Sequence, residues 1–529
     1  MNKNSVSWAG AALAFFALTH VITNSINKQD IGLSPEQSTQ MENTLQQYGP
    51  KGNGSQYGQY AQADDTNLTT DNSLENVHHI YSNKGAFAAL RQDGSVVTWG
   101  DRQCGGDHSA VAGELVNVKT IFASANRCGF AALTQDHRLV IWDMGDAPSL
   151  LKDKLTQVAD FVMHDDLFAA IKRDGSVISW SIVDGSLDEL TQGIYSAPEM
   201  KDVLSVSIND AAFAALKQDG TVVTWGSAYH GGDSHYLAAK LKDIKAIYAG
   251  PSAFTAVTQN GELISWGSVN GGQESQDQVD KLSQFTSALK VFPNEYGFAA
   301  LMADGRVYAW GEDVPSESRI DLPLELTLVP ANSQDKVIDI VSNSGAYAAL
   351  KANGQVVAWG HKFDGGDAST VQHKLQQVRA LYAMDTGFVA LREDGTSIAW
   401  RGEGFFGSEP VIQEVASVVQ IATLERNYAA LKADGTVVDG TYGPRAGITE
   451  AVELIPSVVG FTVKRRDGSI AGWQGEVPNW NIVKQDVDLS NLIEIRGNIS
   501  GMIALTSEGK VLSWNMIGDG GAADPHRLN

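Results

Sequence analysis

Cysteine, proline and basic residues are scarce in this 529-residue sequence, and each shortage excludes a class of protein. The two cysteines are too few for a cysteine-rich zinc site or for a framework of several disulfides. With only 14 prolines, and with 53 glycines that follow no three-residue period, the chain is not collagen-like. Lysine and arginine total 39 against 62 aspartate and glutamate residues, and the net charge of −23 argues against a nucleic-acid partner.

A long, mostly apolar run lies at the N-terminus, from Val6 to Ile22, and it follows Lys3. This arrangement is typical of a signal peptide or a short membrane anchor. Because no clear cleavage site follows, we favour an uncleaved anchor in residues 1–26; a cleaved signal peptide and a soluble amphipathic helix are the alternatives. The protein is therefore predicted to be exported, either anchored in a membrane and facing the periplasm or extracellular space, or secreted.

Residues 27–76 differ in composition from the rest of the chain, because they are rich in Gln, Asn, Ser, Thr, Asp and Gly. A segment with so few aliphatic residues cannot bury enough apolar surface to fold by itself. We expect a polar linker between the anchor and the folded body.

Beyond residue 76 one sequence unit recurs eleven times, about every 41 residues. Its first copy has the apolar segment Phe87 to Leu90, the turn pair Asp93-Gly94, and a second apolar segment that ends at Trp99. A tryptophan occupies this last position in every copy except the ninth, which has Gly440 there. The body is therefore one structural unit used many times.

Each unit is predicted to form an antiparallel sheet of three or four strands. The segment from Phe87 to Leu90 is apolar on both faces of a strand, which is typical of a strand covered on both sides. Asp-Gly favours a type I′ hairpin turn, and a further apolar run such as Val118 to Phe122 precedes several of the hairpins. Small sheets at this spacing predict an all-β fold, a β-propeller of about eleven blades. A β-solenoid is less favoured, because its coils are shorter and usually lack a hairpin.

The number of rings is a separate question. The longest interval between turn pairs, from Asp304 to Asn353, contains three prolines. We therefore predict repeats one to six in residues 77–336 and repeats seven to eleven in residues 337–529, as two rings. One ring of seven blades with four accessory blades is the alternative.

The units resemble the regulator of chromosome condensation repeat. Residues 212–226, AFAALKQDGTVVTWG, show its hydrophobic strand, Asp-Gly turn and Val-x-x-Trp-Gly strand. Phe-Ala or Tyr-Ala replaces the usual His-Ser, and Gly-Gly-Asp at 105–107, 231–233 and 365–367 replaces the Gly-Gln-Leu-Gly loop. With these differences the units are similar to the shorter bacterial version of the family, such as the secreted propeller that inhibits β-lactamase. The resemblance implies a propeller fold, and the family's guanine-nucleotide exchange activity does not carry over.

Sequence motifs for catalysis or metal binding do not stand out. No Walker loop, G-x-S-x-G elbow or dinucleotide-binding motif is evident, and the histidines lack the short spacing of a zinc site. Each Gly-Gly-Asp loop offers one carboxylate, whereas Ca²⁺ needs six to eight oxygen ligands. We interpret the glycines as a bend and the aspartate as a cap on a local amide. We expect that the protein is not an enzyme and needs no metal or cofactor.

Protein binding is the function that we favour. The segments after the tryptophans vary most between repeats, and loops of this kind often carry binding sites. Because aromatic residues dominate interface energies, the candidate contacts are Tyr229, Tyr236, Phe363 and the acidic Asp364. A structural or assembly component of a cell envelope, appendage or virion is the alternative, and a glycan-active protein is less favoured.

The two cysteines fall in neighbouring repeats. Cys104 follows the first Trp-Gly pair, and Cys128 precedes the hairpin of the second repeat. Because adjacent blades can bring these positions together and an exported protein meets an oxidising environment, a disulfide between them is possible.

Removal of residues 1–26 should release the protein from membranes without unfolding it, because the repeats carry their own cores. Membrane fractionation of the full-length and truncated proteins, together with their thermal unfolding curves, measures both effects. Retention of the folded truncated protein in the membrane fraction would contradict the anchor.

Overall fold

The computed structural model describes residues 69–70, 74–124, 127–144, 151–183, 186–187, 196–268, 287–311, 319–328, 333–402, 412–424, 426–457, 460–473, 480–482, 491–498 and 501–515. The predicted anchor and most of the predicted linker lie outside these residues. Within them, no helix is long and apolar enough to cross a membrane.

The described residues form eleven antiparallel sheets of three or four strands, which confirms the all-β prediction. The first strands of the sheets are β2 (Val77–Ser82), β5 (Val118–Ala123), β8 (Val158–His164), β12 (Val203–Ile208), β15 (Ile244–Gly250), β18 (Ala288–Pro293), β22 (Val337–Ser342), β25 (Val378–Met384), β29 (Val418–Thr423), β33 (Ala451–Ser457) and β37 (Leu492–Gly497). The second strands are β3 (Ala86–Arg91), β6 (Phe130–Thr134), β9 (Leu167–Lys172), β13 (Ala212–Lys217), β16 (Ala253–Thr258), β19 (Gly297–Met302), β23 (Ala346–Lys351), β26 (Gly387–Arg392), β30 (Tyr428–Lys432), β34 (Gly460–Arg465) and β38 (Gly501–Thr506).

The third strands, most of which end at or next to the repeated tryptophan, are β4 (Val96–Gly100), β7 (Leu139–Trp142), β10 (Val177–Val183), β14 (Val222–Gly226), β17 (Leu263–Gly267), β20 (Val307–Gly311), β24 (Val356–His361), β27 (Ser397–Trp400), β31 (Val437–Asp439), β35 (Ile470–Trp473) and β39 (Val511–Asn515). Six sheets have a fourth strand: β1 (Thr69–Thr70), β11 (Ser186–Leu187), β21 (Arg319–Ile320), β28 (Ile412–Val415), β32 (Gly443–Pro444) and β36 (Trp480–Ile482). One short helix, α1 (Leu324–Thr327), precedes β22.

The hairpin turns differ from the predicted type I′ turn. In the first repeat the amide of Gly94 donates to the carbonyl of Arg91 (3.0 Å), and only the glycine of the Asp-Gly pair has a positive φ, +80°. The carboxylate of Asp93 accepts from the amide of Ser95 (2.9 Å). This pattern is that of a type I turn followed by a glycine in the left-handed conformation. The aspartate caps an amide from a backbone conformation with negative φ.

In most repeats, a backbone hydrogen bond at the turn glycine joins one sheet to the next. The amide of Val118, at the start of β5, donates to the carbonyl of Gly94 (2.8 Å). A Cβ atom on Gly94 would lie only 2.8 Å from the Cα of Asn117, so the approach needs glycine. Asn117 itself has a φ of +54°, and a β-bulge follows it at the start of β5. All eleven first strands have this bulge.

The same hydrogen bond links the last sheet to the first. The amide of Val77 donates to the carbonyl of Gly509 (2.9 Å), and β1 pairs with β39 as the fourth strand of the last sheet. Leu74 is buried in a cluster that combines Val77 with Leu505 and other residues of both sheets. The folded body therefore begins before residue 77, whereas the predicted linker extends to residue 76.

Apolar packing continues through the predicted boundary between residues 336 and 337. One buried cluster combines Leu301 and Val307 of the sixth sheet with Val337 and Tyr347 of the seventh. Each described sheet contacts the next in chain order, and β37 contacts β2. Packing therefore continues across the predicted boundary, and the number of rings stays a prediction.

The ninth repeat replaces the missing tryptophan with a charged network. A Cβ atom on Gly440 would clash with the ring of Tyr428, so no larger side chain fits at this position. The buried carboxylate of Asp439 accepts from the indole of Trp473 in the next sheet (2.6 Å) and forms an ion pair with Arg445 (3.3 Å). The guanidinium of Arg445 lies over the ring of Trp473 at 5.5 Å. The core is thus completed by polar contacts where an aromatic ring is absent.

Replacement of Trp225 by alanine should lower the free energy of unfolding by about 3–5 kcal/mol, because it leaves a cavity in a packed core. Trp225 is only 6% exposed, stacks on Phe213 at 5.0 Å and donates to the hydroxyl of Ser179 (2.9 Å). Ser179→Ala is the matched control: it keeps the ring and should cost about 1–3 kcal/mol for the unpaired indole. Denaturant unfolding measures both, and equal costs would contradict a packing role for the ring.

Candidate partner-binding surface

The sheets present two different ends. We call the end with the Asp-Gly turns the turn end. The opposite end, which we call the loop end, has the turns between first and second strands and the start of the segments after the third strands. In the first sheet Ala86 pairs with Gly100, so the turn at residues 83–85 lies beside the segment that begins at Asp101. That segment then returns to the turn end, where Val118 starts the next sheet.

The three Gly-Gly-Asp segments have a common structure at the loop end. Each consists of two 3-10 turns, Arg102–Cys104 with Ser109–Val111, Ala228–His230 with His235–Leu237, and Lys362–Asp364 with Gln372–Lys374. The first glycine of each motif ends the first 3-10 turn in a left-handed conformation. A short sequence motif therefore fixes a whole loop.

The first glycine also packs against the next sheet. In the fourth repeat a Cβ atom on Gly231 would lie 2.9 Å from the ring of Phe254, and the carbonyl of Gly231 accepts from the indole of Trp266 (3.0 Å). Equivalent bonds join Trp142 to Gly105 (3.1 Å) and Trp400 to Gly365 (3.0 Å). The loop thus covers the aromatic pair of the neighbouring sheet, and a larger residue would be excluded.

The aspartate of each motif caps a local amide, as the sequence analysis interpreted it. Asp107 accepts from the amide of Ser109 (3.0 Å), Asp233 from that of His235 (3.1 Å) and Asp367 from that of Ser369 (2.9 Å). No group of three or more His, Cys, Asp or Glu side chains suited to a metal ion occurs among the residues that the structure describes.

Buried asparagines that the sequence analysis missed hold the loop end together. The side-chain oxygen of Asn83 accepts from the amides of Gly85 (3.1 Å) and Ala86 (2.7 Å). Its amide group donates to the carbonyl of Cys104 (2.6 Å) and to that of Gly129 in the next sheet (2.9 Å). Equivalent asparagines are Asn209, Asn294, Asn343 and Asn498. The signal in the sequence was an asparagine three residues before the small residue that opens the second strand.

Two of the four predicted contact residues lie on the surface together. Tyr229 is 60% exposed and Tyr236 is 49% exposed, and both belong to the fourth repeat's Gly-Gly-Asp loop. The ring of Tyr229 contacts that of His230 at 5.3 Å, and the ring of Tyr236 contacts that of His235 at 6.0 Å. This loop presents two aromatic side chains on a backbone fixed by Gly231.

The seventh repeat's pair is placed differently. Phe363 is half-buried and its ring contacts that of His361 at 5.1 Å. Asp364 is only 9% exposed, and its carboxylate bonds with His361 (2.7 Å). Its prediction as a surface contact is therefore wrong, because the carboxylate has a structural partner inside the loop.

Asp364 belongs to an acidic group in which three sheets meet. The amide of Glu295 donates to the carbonyl of Ser344 (3.0 Å), and the amide of Ser344 donates to that of Asp385 (3.3 Å). The Oε1 atom of Glu295 is buried and has no hydrogen-bond partner among the described residues. Burial, followed by the charges of Asp364, Asp385 and Asp210, raises the pKa of Glu295 to about 7, while His361 acts in the opposite direction.

The two cysteines meet between the first and second sheets at the loop end. Cys104 and Cys128 form a disulfide, which leaves no free cysteine in the chain. The amide of Gly129 also donates to the carbonyl of Cys104 (3.1 Å). A covalent bond and a hydrogen bond therefore fasten the first Gly-Gly-Asp loop to the turn of the next sheet.

No protein-family model and no curated protein matches the chain. Among solved structures it is similar to yeast RCC1 (Prp20), at 14% identity over 54% of this chain and 82% of that one, with a TM-score of 0.27. It is also similar to the CRINKLY WD40 ectodomain of the Arabidopsis thaliana receptor kinase ACR4, at 15% identity over 54% and 93% of the two chains, with a TM-score of 0.26. Human WBSCR16 is similar at 13% identity over 59% and 92%, also with a TM-score of 0.26.

Glu295→Gln should remove a loss of stability that the wild type shows as pH rises from 4.5 to about 7. Above pH 4.5 the unfolded chain ionises Glu295 while the folded chain retains the proton, so the free energy of unfolding falls until pH about 7. The loss should be roughly 1–3 kcal/mol. Unfolding at several pH values measures it. Glu393→Gln, an exposed control at the turn end, should keep the wild-type profile, and a pH-dependent loss in E295Q equal to that of the wild type would refute the assignment.

Proposed function

We propose that the chain is a non-catalytic, protein-binding β-propeller that contacts its partner through the loop end. The observation that carries this proposal is the exposure of Tyr229 and Tyr236 together on one fixed loop. Aromatic side chains on a rigid framework lose little conformational entropy on binding and contribute strongly to interfaces. The net charge of −23 favours a partner with a basic surface.

Export is part of the proposal. The disulfide between Cys104 and Cys128 supports it, because such bonds persist in oxidising compartments outside the cytosol. The apolar run from Val6 to Ile22 supports a signal or membrane anchor. In this proposal the propeller is of the short-repeat bacterial type and forms one closed ring of eleven blades, supported by the bond from Val77 to Gly509.

A structural or assembly role is the second candidate. An aliphatic side chain is exposed at the second position of six first strands, namely Leu204, Leu289, Ile338, Val419, Val452 and Ile493. Apolar side chains that are exposed at one repeated position suit an interface between protein subunits. An assembly component should be recovered from native membranes in stoichiometric multimers, whereas a binding module should be recovered with a different protein.

The double variant Tyr229→Gln, Tyr236→Ala should lose partner capture with an unchanged melting temperature. These replacements are the residues that the first repeat has at the same positions, Gln103 and Ala110, so the loop backbone accommodates them. We expect capture to fall by about tenfold or more, because truncated aromatic hot spots cost at least ~2 kcal/mol. Quantitative affinity capture from envelope and extracellular fractions measures the loss.

Gln218→Ala is the matched control for this variant, because Gln218 is an exposed residue of the same repeat at the turn end. It should capture as much partner as the wild type. Undiminished capture by the double tyrosine variant would overturn the role of the fourth repeat's loop.

A further inference from the structure

Three neighbouring sheets are joined by their turns at the loop end. The turn at residues 294–296 lies between the first and second strands of the sixth sheet, and the amide of Glu295 in this turn donates to the carbonyl of Ser344 in the seventh sheet (3.0 Å). The amide of Ser344 donates in turn to the carbonyl of Asp385 in the eighth sheet (3.3 Å). Movement of the first turn would therefore break its bond to the next sheet.

The sixth and seventh sheets pack tightly at this point. A Cβ atom on Gly345 would collide with the carboxylate of Asp364 and would lie 3.0 Å from the ring of Tyr296, so only glycine fits between them. The ring of Tyr296 also lies 5.9 Å from that of His361. The turn that carries Glu295 is therefore held against the loop of the seventh repeat by side-chain packing as well as by its backbone bond.

The side chain of Glu295 is placed among other carboxylates. Its Oε1 atom is buried and has no hydrogen-bond partner among the residues that the structure describes. The charged groups that act on it come from the fourth, seventh and eighth sheets, and they are three carboxylates and one imidazole: Asp210, Asp364, Asp385 and His361. An ionised Glu295 would therefore be a partly buried charge surrounded mainly by charges of the same sign.

The other ionisable groups of these elements do not offset this repulsion. The Nδ1 atom of His361 already bonds with the carboxylate of Asp364 (2.7 Å). Lys362 follows His361 in the same loop, but it is not among the groups that shift the pKa of Glu295. Burial and the charges of Glu295 and Asp364 raise the pKa of Tyr296 above its ordinary value of 10, so its phenol stays neutral at neutral pH.

We propose that Glu295 is a pH-sensitive latch, which holds the turn of the sixth sheet against the seventh when it carries a proton and releases the turn when it is ionised. A protonated carboxyl group can stay buried at this place because it has no charge to repel its neighbours. An ionised one gains free energy by moving into water. That movement takes the amide of Glu295 away from Ser344 and the ring of Tyr296 away from Gly345.

The latch weakens as pH rises from 4.5 to about 7. Glu295 has a pKa of about 7 in the closed turn and its ordinary value of 4.5 in an open, hydrated turn. Below pH 4.5 both states hold the proton, so the opening equilibrium is constant. From pH 4.5 to about 7 only the open state loses the proton, and opening becomes about tenfold more favourable with each pH unit. Above pH about 7 both states are ionised and the equilibrium is constant again.

An open turn would change the surface of the loop end around the seventh repeat. Tyr296 would lose its packing on Gly345, and the ring contact that joins it to His361 would be lost as well. Phe363, whose ring contacts that of His361 at 5.1 Å, lies beside this place. The opened loop end would therefore expose more aromatic and acidic surface at neutral pH than in acid.

Hydrogen–deuterium exchange of the full-length protein at about pH 5 and about pH 7.5 tests the latch directly. Relative to the intrinsic exchange rates at each pH, the protection of the amides of Glu295 and Ser344 should fall by about tenfold or more at the higher pH. Lys84 is the internal control, because it has the same place in the first repeat and its amide donates to the carbonyl of Arg127 (3.2 Å). Its protection should stay constant. Constant protection at Glu295 and Ser344, or an equal fall at Lys84, would overturn the proposal.

Glu295→Gln should keep the high protection of both amides at both pH values, because its side chain does not ionise. Glu393→Gln, which removes an exposed carboxylate at the turn end, should show the same fall as the wild type. A fall in E295Q equal to that of the wild type would refute the role of Glu295. The exchange is measured on the protein alone, so its outcome is independent of the proposed partner binding.

Discussion

The backbone hydrogen bond from the start of a first strand to the carbonyl of the preceding turn glycine sets the spacing of the sheets. The carbonyl belongs to a turn residue with positive φ, which is His137 in the second repeat and glycine in the other repeats that make this bond. In nine repeats the residue before the first strand also has a positive φ. Both conformations are costly for ordinary residues, so they occur where the surrounding structure demands them. The Asp-Gly pair therefore recurs because two sheets meet at that point, in addition to its role within its own hairpin.

This link explains how a chain of similar units holds its ends together. The bond from Val77 to Gly509 has the same geometry as the bonds between neighbours along the chain, and the pairing of β1 with β39 adds a strand from the N-terminal side. In a row of repeats each unit is stabilised mainly by its neighbours, so an unpaired first and last unit would each lose an interface. Contact between the two end sheets removes that loss.

The sequence predicted those features of the structure for which every repeat uses the same residue. It did not predict features that depend on one residue at one position in the chain. The strands, the hairpins and the buried position of Trp225 follow from the repeated pattern. The packing between repeats did not follow from it: three prolines suggested a boundary between the sixth and seventh repeats, but Leu301 and Val337 on its two sides share one core. The burial of Asp364 did not follow from the pattern either: its carboxylate bonds with His361, whose ring contacts Tyr296 of the sixth sheet at 5.9 Å.

The loop end shows how one structural position can serve either packing or recognition. Where a Gly-Gly-Asp loop follows the tryptophan, the glycine carbonyl pairs with the next indole, and the side chains beyond it, such as Tyr229, are released from packing and face solvent. Neighbouring sheets are also joined by side chains at this end, where His164 of the third sheet contacts Asp210 of the fourth at 3.2 Å. The exposed side chains of such a loop can therefore change without disturbing the turn end that fixes the fold.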